Sequence, residues 1–253
     1  MSSPEPGDPL PQSVQLAWGL SDSGTRGPRR GLTLEQVLDA AIEVAGAEGL
    51  DALSMSRVAK HLGFTTMSLY RYVSNKDQLV ELAWDRAIGP PPELPAVGEW
   101  RERLDAWAMA EYRSLRAHKW LTQYPIRTAP YYPNNLLWLD AGLDALSATP
   151  LDEPAKVQVV TMISLYAIGR ARFSWELGSD AADDPTDAPA MLRRILDPGK
   201  YPSVLAAVEG GAFDPDESDA DDEAVWHEQD FRFGLERLLD GIDVLIRRAE
   251  DGS

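Results

Sequence analysis

Residues 89–95 read Gly-Pro-Pro-Pro-Glu-Leu-Pro, and no regular element can run through them. Proline lacks the amide donor that helix interiors and central strands both require. The chain is therefore cut into two parts, and the periodicity on each side decides what those parts are. Apolar residues recur at three- and four-residue steps throughout, and no window alternates in the manner of a strand. The reading is an all-α protein. Residues 25–88 form one domain and residues 89–253 a second, larger helical domain. Residues 1–24, rich in Pro, Gly, Ser and Asp and poor in periodicity, read as a disordered tail. Its short run Val14-Gln15-Leu16-Ala17-Trp18 has the character of a segment that docks.

Composition narrows the function classes. A chain of 253 residues that is 44% hydrophobic can bury a substantial core. It has no apolar run of about 18 residues, so no membrane span is expected. Met1 to Asp8 is acidic and proline-bearing, unlike a secretory signal. The absence of cysteine excludes disulfides, thiolate metal sites and cysteine nucleophiles, and it fits a cytoplasmic protein. The net charge of −17 argues against nucleic acid when the chain is taken whole. Its distribution reverses that. Residues 25–88 carry 8 basic and 8 acidic side chains, whereas residues 89–253 carry 16 against 30. A neutral module precedes an acidic one.

The neutral module is dense in helix punctuation. Thr33 and Gln36 make a capping box ahead of the stripe Leu34, Val37, Leu38, Ala41, Ile42 and Ala45. Ser54 caps a short helix carrying Val58, Ala59 and Leu62, which Gly63 closes. Thr65 or Thr66 opens a third helix through Tyr72, and Ser74-Asn75-Lys76-Asp77 reads as a second capping box. Two short helices around a glycine turn suit a helix-turn-helix, in which the second helix enters the major groove. That helix offers Thr65, Thr66, Ser68, Tyr70, Arg71 and Tyr72 as hydrogen-bonding groups, with Leu69 and Val73 turned inward. A bland corner between two helices has the same outline. The hydroxyl-rich face and the basic arm Arg26, Arg29 and Arg30 favour DNA.

The run from Gly63 through Leu69-Tyr70 and Asn75-Lys76 to Leu79, with two helices ahead of it, resembles the TetR family of bacterial regulators. The resemblance implies a homodimer whose N-terminal domains each read half of a double-stranded DNA operator. It implies base contacts at Ser56, Thr65, Thr66, Met67 and Tyr70, and phosphate contacts at Ser54, Ser68, Arg71, Tyr72 and Lys76. Arg29 and Arg30 would reach the minor groove or backbone from the arm. Met67 and Tyr72 are equally capable of packing, and Tyr70 favours DNA contact over a half-buried place in the core. Residues 231–242 resemble the last dimerisation helix of a tetracycline-repressor-type C-terminal domain, pairing with the long helix through Val157 to Trp175; the amphipathic pattern of either helix suits packing within one protomer as well.

That second domain would bind a small-molecule effector of unknown identity. Its aromatic residues Trp107, Tyr112, Trp120, Tyr124, Trp138 and Tyr166 are either core or cavity wall. Arg127, Arg170 and Asp140 are candidate polar anchors or ordinary ion-pair partners. An ungapped comparison from His118 leaves Pro125 where the tetracycline repressor has its metal-binding histidine, which disfavours a magnesium–tetracycline effector. The other histidines of the chain, His61 and His227, offer no substitute, and no metal or cofactor is expected. No phosphate loop, zinc-protease helix or serine elbow is present, so no enzyme is expected either. The acidic run from Asp214 lacks the glycine and the twelfth-position glutamate of a calcium loop, and it reads as solvated. The sequence thus reads as a repressor released from a palindromic operator by an inducer. The alternative is a constitutive or architectural DNA-binding dimer without an effector.

Overall fold

The computed structural model describes residues 10–20, 31–95, 97–124, 131–181, 188–213 and 223–251, and all regular structure among them is helical. In chain order the helices are α1 (Gln12–Ala17), α2 (Leu34–Glu48), α3 (Met55–Leu62), α4 (Thr66–Leu69), α5 (Lys76–Ile88) and α6 (Trp100–Ala117). There follow α7 (Lys119–Gln123), α8 (Pro133–Ala145), α9 (Glu153–Ala181), α10 (Ala188–Ile195), α11 (Pro202–Glu209) and α12 (Glu223–Asp251). No helix among the described residues is long and apolar enough to cross a membrane.

The chain divides into two compact units, and the division does not fall at the prolines. One unit holds Met1–Arg172 with Leu238–Ser253, and the other holds Phe173–Arg237. The proline run lies inside the first unit because the helices on its two sides pack on each other. Trp84 donates its indole N–H to the Leu121 carbonyl at 2.9 Å, and Trp138 donates to the Gly89 carbonyl at 2.9 Å. In the second unit α10 packs on α11, where Arg193 donates to the Val208 carbonyl at 3.3 Å.

Local signals set the helix ends of the first unit. Thr33 and Gln36 form the expected reciprocal box, with bonds of 3.2 and 3.0 Å. Ser54 accepts the Arg57 amide, and Gly63 closes α3 in the left-handed conformation that glycine adopts without strain. The second expected box is shifted by one residue. Asn75, not Ser74, is the cap, accepting the Gln78 amide at 2.8 Å, while Gln78 reaches back to the Ser74 amide at 2.5 Å. Asparagine's short amide reaches the third helical amide as well as serine does, so either position suited the sequence. Beneath these caps Val37, Ala41, Val58, Leu69, Val73 and Leu79 are fully buried and form the core of the module.

The expected tail is partly helical. Pro11 opens α1, which packs on α5, and the Ser74 hydroxyl donates to the Gln12 side chain at 2.6 Å. Trp18 donates to the Tyr131 carbonyl at 2.8 Å. These tertiary bonds hold a six-residue helix that would not persist alone. Residues 1–9 and 21–24 of the tail lie outside the described residues.

Candidate DNA-binding surface and effector cavity

The helix-turn-helix is α3, the turn at Gly63–Thr65, and α4. The second helix is shorter than the sequence suggested: it ends at Leu69, and a tight turn carries the chain to Val73. Leu69 and Val73 are buried, while Tyr70 and Arg71 between them are turned outward. Met67 is 74% exposed and Tyr70 47%, although both are large side chains that normally seek cover. Thr65, Arg71 and Lys76 are exposed, and Thr66 and Ser68 are half-buried. The Thr65 and Ser68 hydroxyls bond each other at 2.9 Å across the start of α4. On the first helix Ser56 is exposed, and its hydroxyl lies 3.2 Å from that of the capping Ser54.

One expected contact is otherwise engaged. The Tyr72 hydroxyl donates to the Leu32 carbonyl, so this side chain fixes the approach to α2 instead of standing free for phosphate. The reason is geometric: the chain before α2 passes beside the turn after α4. Arg29 and Arg30 lie outside the described residues. Among the other cations, Arg57 is held by Glu48 and Arg86 by Asp39, and each carboxylate raises its partner's pKa through the hydrogen bond. His61 bonds Glu43 at 2.7 Å. Arg71 and Lys76 make no ion pair with a described residue, which leaves the cations flanking α4 open to solvent.

The second site is a cavity of about 240 Å³ between α5, α6, α8 and α9. Trp84 and Ile88 wall it from α5, Trp107 and Leu115 from α6, Trp138 from α8 and Val160 from α9. Close helix packing shapes it. A Cβ on Gly142 would lie 2.9 Å from Val160 and 3.0 Å from the Trp107 indole, so only glycine admits α8 this near. Of the expected effector residues, Trp107 and Trp138 line the cavity. Tyr112 and Trp120 do not; both are fully buried core. Tyr124 instead approaches Glu81 at 3.5 Å, beside Tyr132, which donates to the same carboxylate at 2.5 Å. Tyr166 and Arg170 are absent from the wall, and Arg127 lies outside the described residues. Asp140 borders a separate, open apolar groove with Trp18 and Leu143.

Sequence reasoning missed Glu111. Its carboxyl is buried in the cavity wall, and burial raises its pKa to about 7 against a smaller opposing effect from the Ser164 hydrogen bond. A signal was present: Trp107, Glu111 and Leu115 stand at successive four-residue steps, which places a carboxyl within the apolar stripe of α6. The part Asp85 plays toward α8 was also missed. From α5 its buried carboxylate accepts the Asn134 and Asn135 backbone amides at 3.2 and 2.9 Å. It also accepts both of their side-chain amides at 3.1 Å. It thereby caps α8, which lacks a side-chain cap of its own. Asn135 also lines the cavity.

Comparison with known proteins adds independent findings. Residues 37–83 match the model of bacterial regulatory proteins of the tetR family, and residues 92–246 match the tetracyclin repressor-like C-terminal domain. The chain is 36% identical to the HTH-type transcriptional repressor DrrR1 of Streptomyces coeruleorubidus, over 95% of this chain and 89% of that protein. It is 26% identical to the class D tetracycline repressor protein of Escherichia coli, over 85% and 91% respectively. A solved structure of ActR from Streptomyces coelicolor, in complex with (S)-DNPA, superposes with a TM-score of 0.67. That match has 26% identity and covers 84% of this chain and 98% of that one.

Proposed function

Because the chain belongs to the TetR family of bacterial regulatory proteins, we propose that it is a dimeric repressor released from a palindromic operator by a small molecule. It acts by binding alone. The observation that carries this reading is the span of α5. One end of α5 is capped by Asn75, immediately beyond the recognition turn, and the other end supplies Trp84 and Ile88 to the cavity. An occupant of the cavity therefore touches the element that holds the DNA-reading helix. It also touches α8, which Asp85 fastens to α5.

Base reading falls to Thr65, Thr66, Met67, Tyr70 and Ser56, and phosphate contact to Ser54, Ser68, Arg71 and Lys76. Arg29 and Arg30 extend the contact from the arm. Dimerisation falls to α9 and α12, which expose Val157, Leu165 and Phe173, and Phe233, Val244 and Leu245, respectively. Ile242, by contrast, is 2% exposed within its own chain and belongs to the protomer core. Two recognition helices about 34–36 Å apart would then meet successive major grooves.

Selection of an operator from random DNA, followed by a screen for compounds that release it, tests the proposal. Asn134→Ala removes side-chain bonds to Asp85 without touching the cavity wall. The expected result is intact operator and ligand binding with weakened release. Operator binding that no cavity ligand alters would favour the constitutive alternative.

A further inference from the structure

Glu111 bears on what the cavity holds. Ser164 donates to its Oε1 at 2.9 Å, while Oε2 is buried with no hydrogen-bond partner. A buried oxygen left unmatched is unfavourable, and a bound donor relieves it. Among the described residues, no other wall group donates to it. The three indoles have already given their N–H groups to the carbonyls of Leu121, Trp138 and Gly89. Asn135 has given a side-chain amide hydrogen to Asp85. What the indoles bring to the cavity is aromatic carbon surface.

Charge sorts the candidate occupants. Among the described residues no Lys, Arg or His lines the cavity, and Glu111 is its one ionisable wall residue. An anion would meet a carboxyl with no counter-charge. A neutral apolar molecule would leave Oε2 unmatched. A protonated amine satisfies Oε2 with a charge-assisted hydrogen bond and is attracted by the indole rings. The volume of about 240 Å³ limits the buried part of the molecule to one or two rings.

Building on the effector reading, we propose that the cavity takes a small aromatic amine in its protonated form, with the ring among Trp84, Trp107 and Trp138 and the ammonium on Oε2 of Glu111. The carboxyl gives up its proton as the ammonium arrives. Burial holds that proton near neutrality against the smaller opposing effect of the Ser164 hydrogen bond. Amine binding therefore strengthens as pH rises from 6 to 8, roughly tenfold per unit below the carboxyl's own titration.

Calorimetric titration of the full chain with tryptamine and with tryptophol, which replaces the ammonium by a hydroxyl, tests the assignment. Wild type is expected to bind tryptamine at least about tenfold more tightly. Titration in two buffers of different ionisation enthalpy at pH 6.5 should show proton release with the amine and none with the alcohol. Glu111→Gln keeps the shape of the side chain; with a native melting transition as the check on folding, it should abolish the preference and the proton release. Equal affinities in wild type, a preference that survives Glu111→Gln, or no tryptamine binding at millimolar concentration overturns the ammonium assignment. The effector reading fails on a different result: cavity ligands that bind but leave operator affinity unchanged.

Discussion

The DNA-reading surface and the cavity are built on opposite principles. The first is a contiguous stretch from Ser54 to Lys76, whose proposed contact residues Thr65, Met67, Tyr70 and Arg71 stand in solvent above a small buried base of Leu69 and Val73. The second draws its wall from four helices between Trp84 and Ile168 and holds a carboxyl taken out of water. Local caps and one left-handed glycine are enough to shape the surface. The cavity exists only when the whole unit is packed. Substitutions on the surface should therefore change binding without stability, and substitutions in the cavity should change both.

The sharpest break in that contrast comes from the triple change Thr65→Ala, Thr66→Ala and Tyr70→Ala. Each good base contact contributes about 1–3 kcal/mol of discrimination, so preference for a selected operator should vanish in competition assays. Melting temperature and cavity-ligand affinity should hold. Next in size is Trp107→Ala, which empties fully buried aromatic volume and should cost about 3–5 kcal/mol of stability in denaturant titration. Ligand binding should fall with it.

Glu111→Gln should stabilise the protein in a pH-dependent way. The carboxyl's folded pKa is raised from the usual carboxylate range to about 7, so the stability it contributes is complete in acid and is lost as pH rises through that window. The loss amounts to about 1.4 kcal/mol per pH unit across the window. The gap between variant and wild type should thus widen from pH 5 to pH 7.5 and then stay level. A constant gap would mean that the carboxyl is already ionised. The smallest effect belongs to Lys76→Ala, which should weaken all DNA sequences alike and flatten the salt dependence by about one unit.

The same contrast explains what could be read in the sequence. The helix starts at Thr33 and Ser54 follow from side chains that accept amides three residues away, and the stop at Gly63 from glycine's left-handed backbone, so the helix-turn-helix fold was legible almost in full. Where it was not, the cause was a contact across the chain. Tyr72 is drawn to Leu32, forty positions away, and α1 survives through Ser74 and Tyr131. The cavity fared worse because an aromatic residue on an amphipathic helix looks the same whether it faces a neighbour or a void. Trp107 and Trp120 have equivalent signatures, yet only Trp107 meets the cavity. Helices α10 and α11 are each eight residues long, about two turns, which is too short a stretch for a sequence window to set apart.

The central claim is that the cavity and the DNA surface share one equilibrium through α5. The most direct measurement titrates the compound that best releases the operator into protein alone and into protein saturated with operator. Linkage requires operator to weaken that compound's binding by the same factor by which the compound weakens operator binding, about tenfold for 1.4 kcal/mol of coupling. Matched factors are the predicted result. Equal affinities in the two titrations would contradict the account and leave the cavity without a part in DNA release.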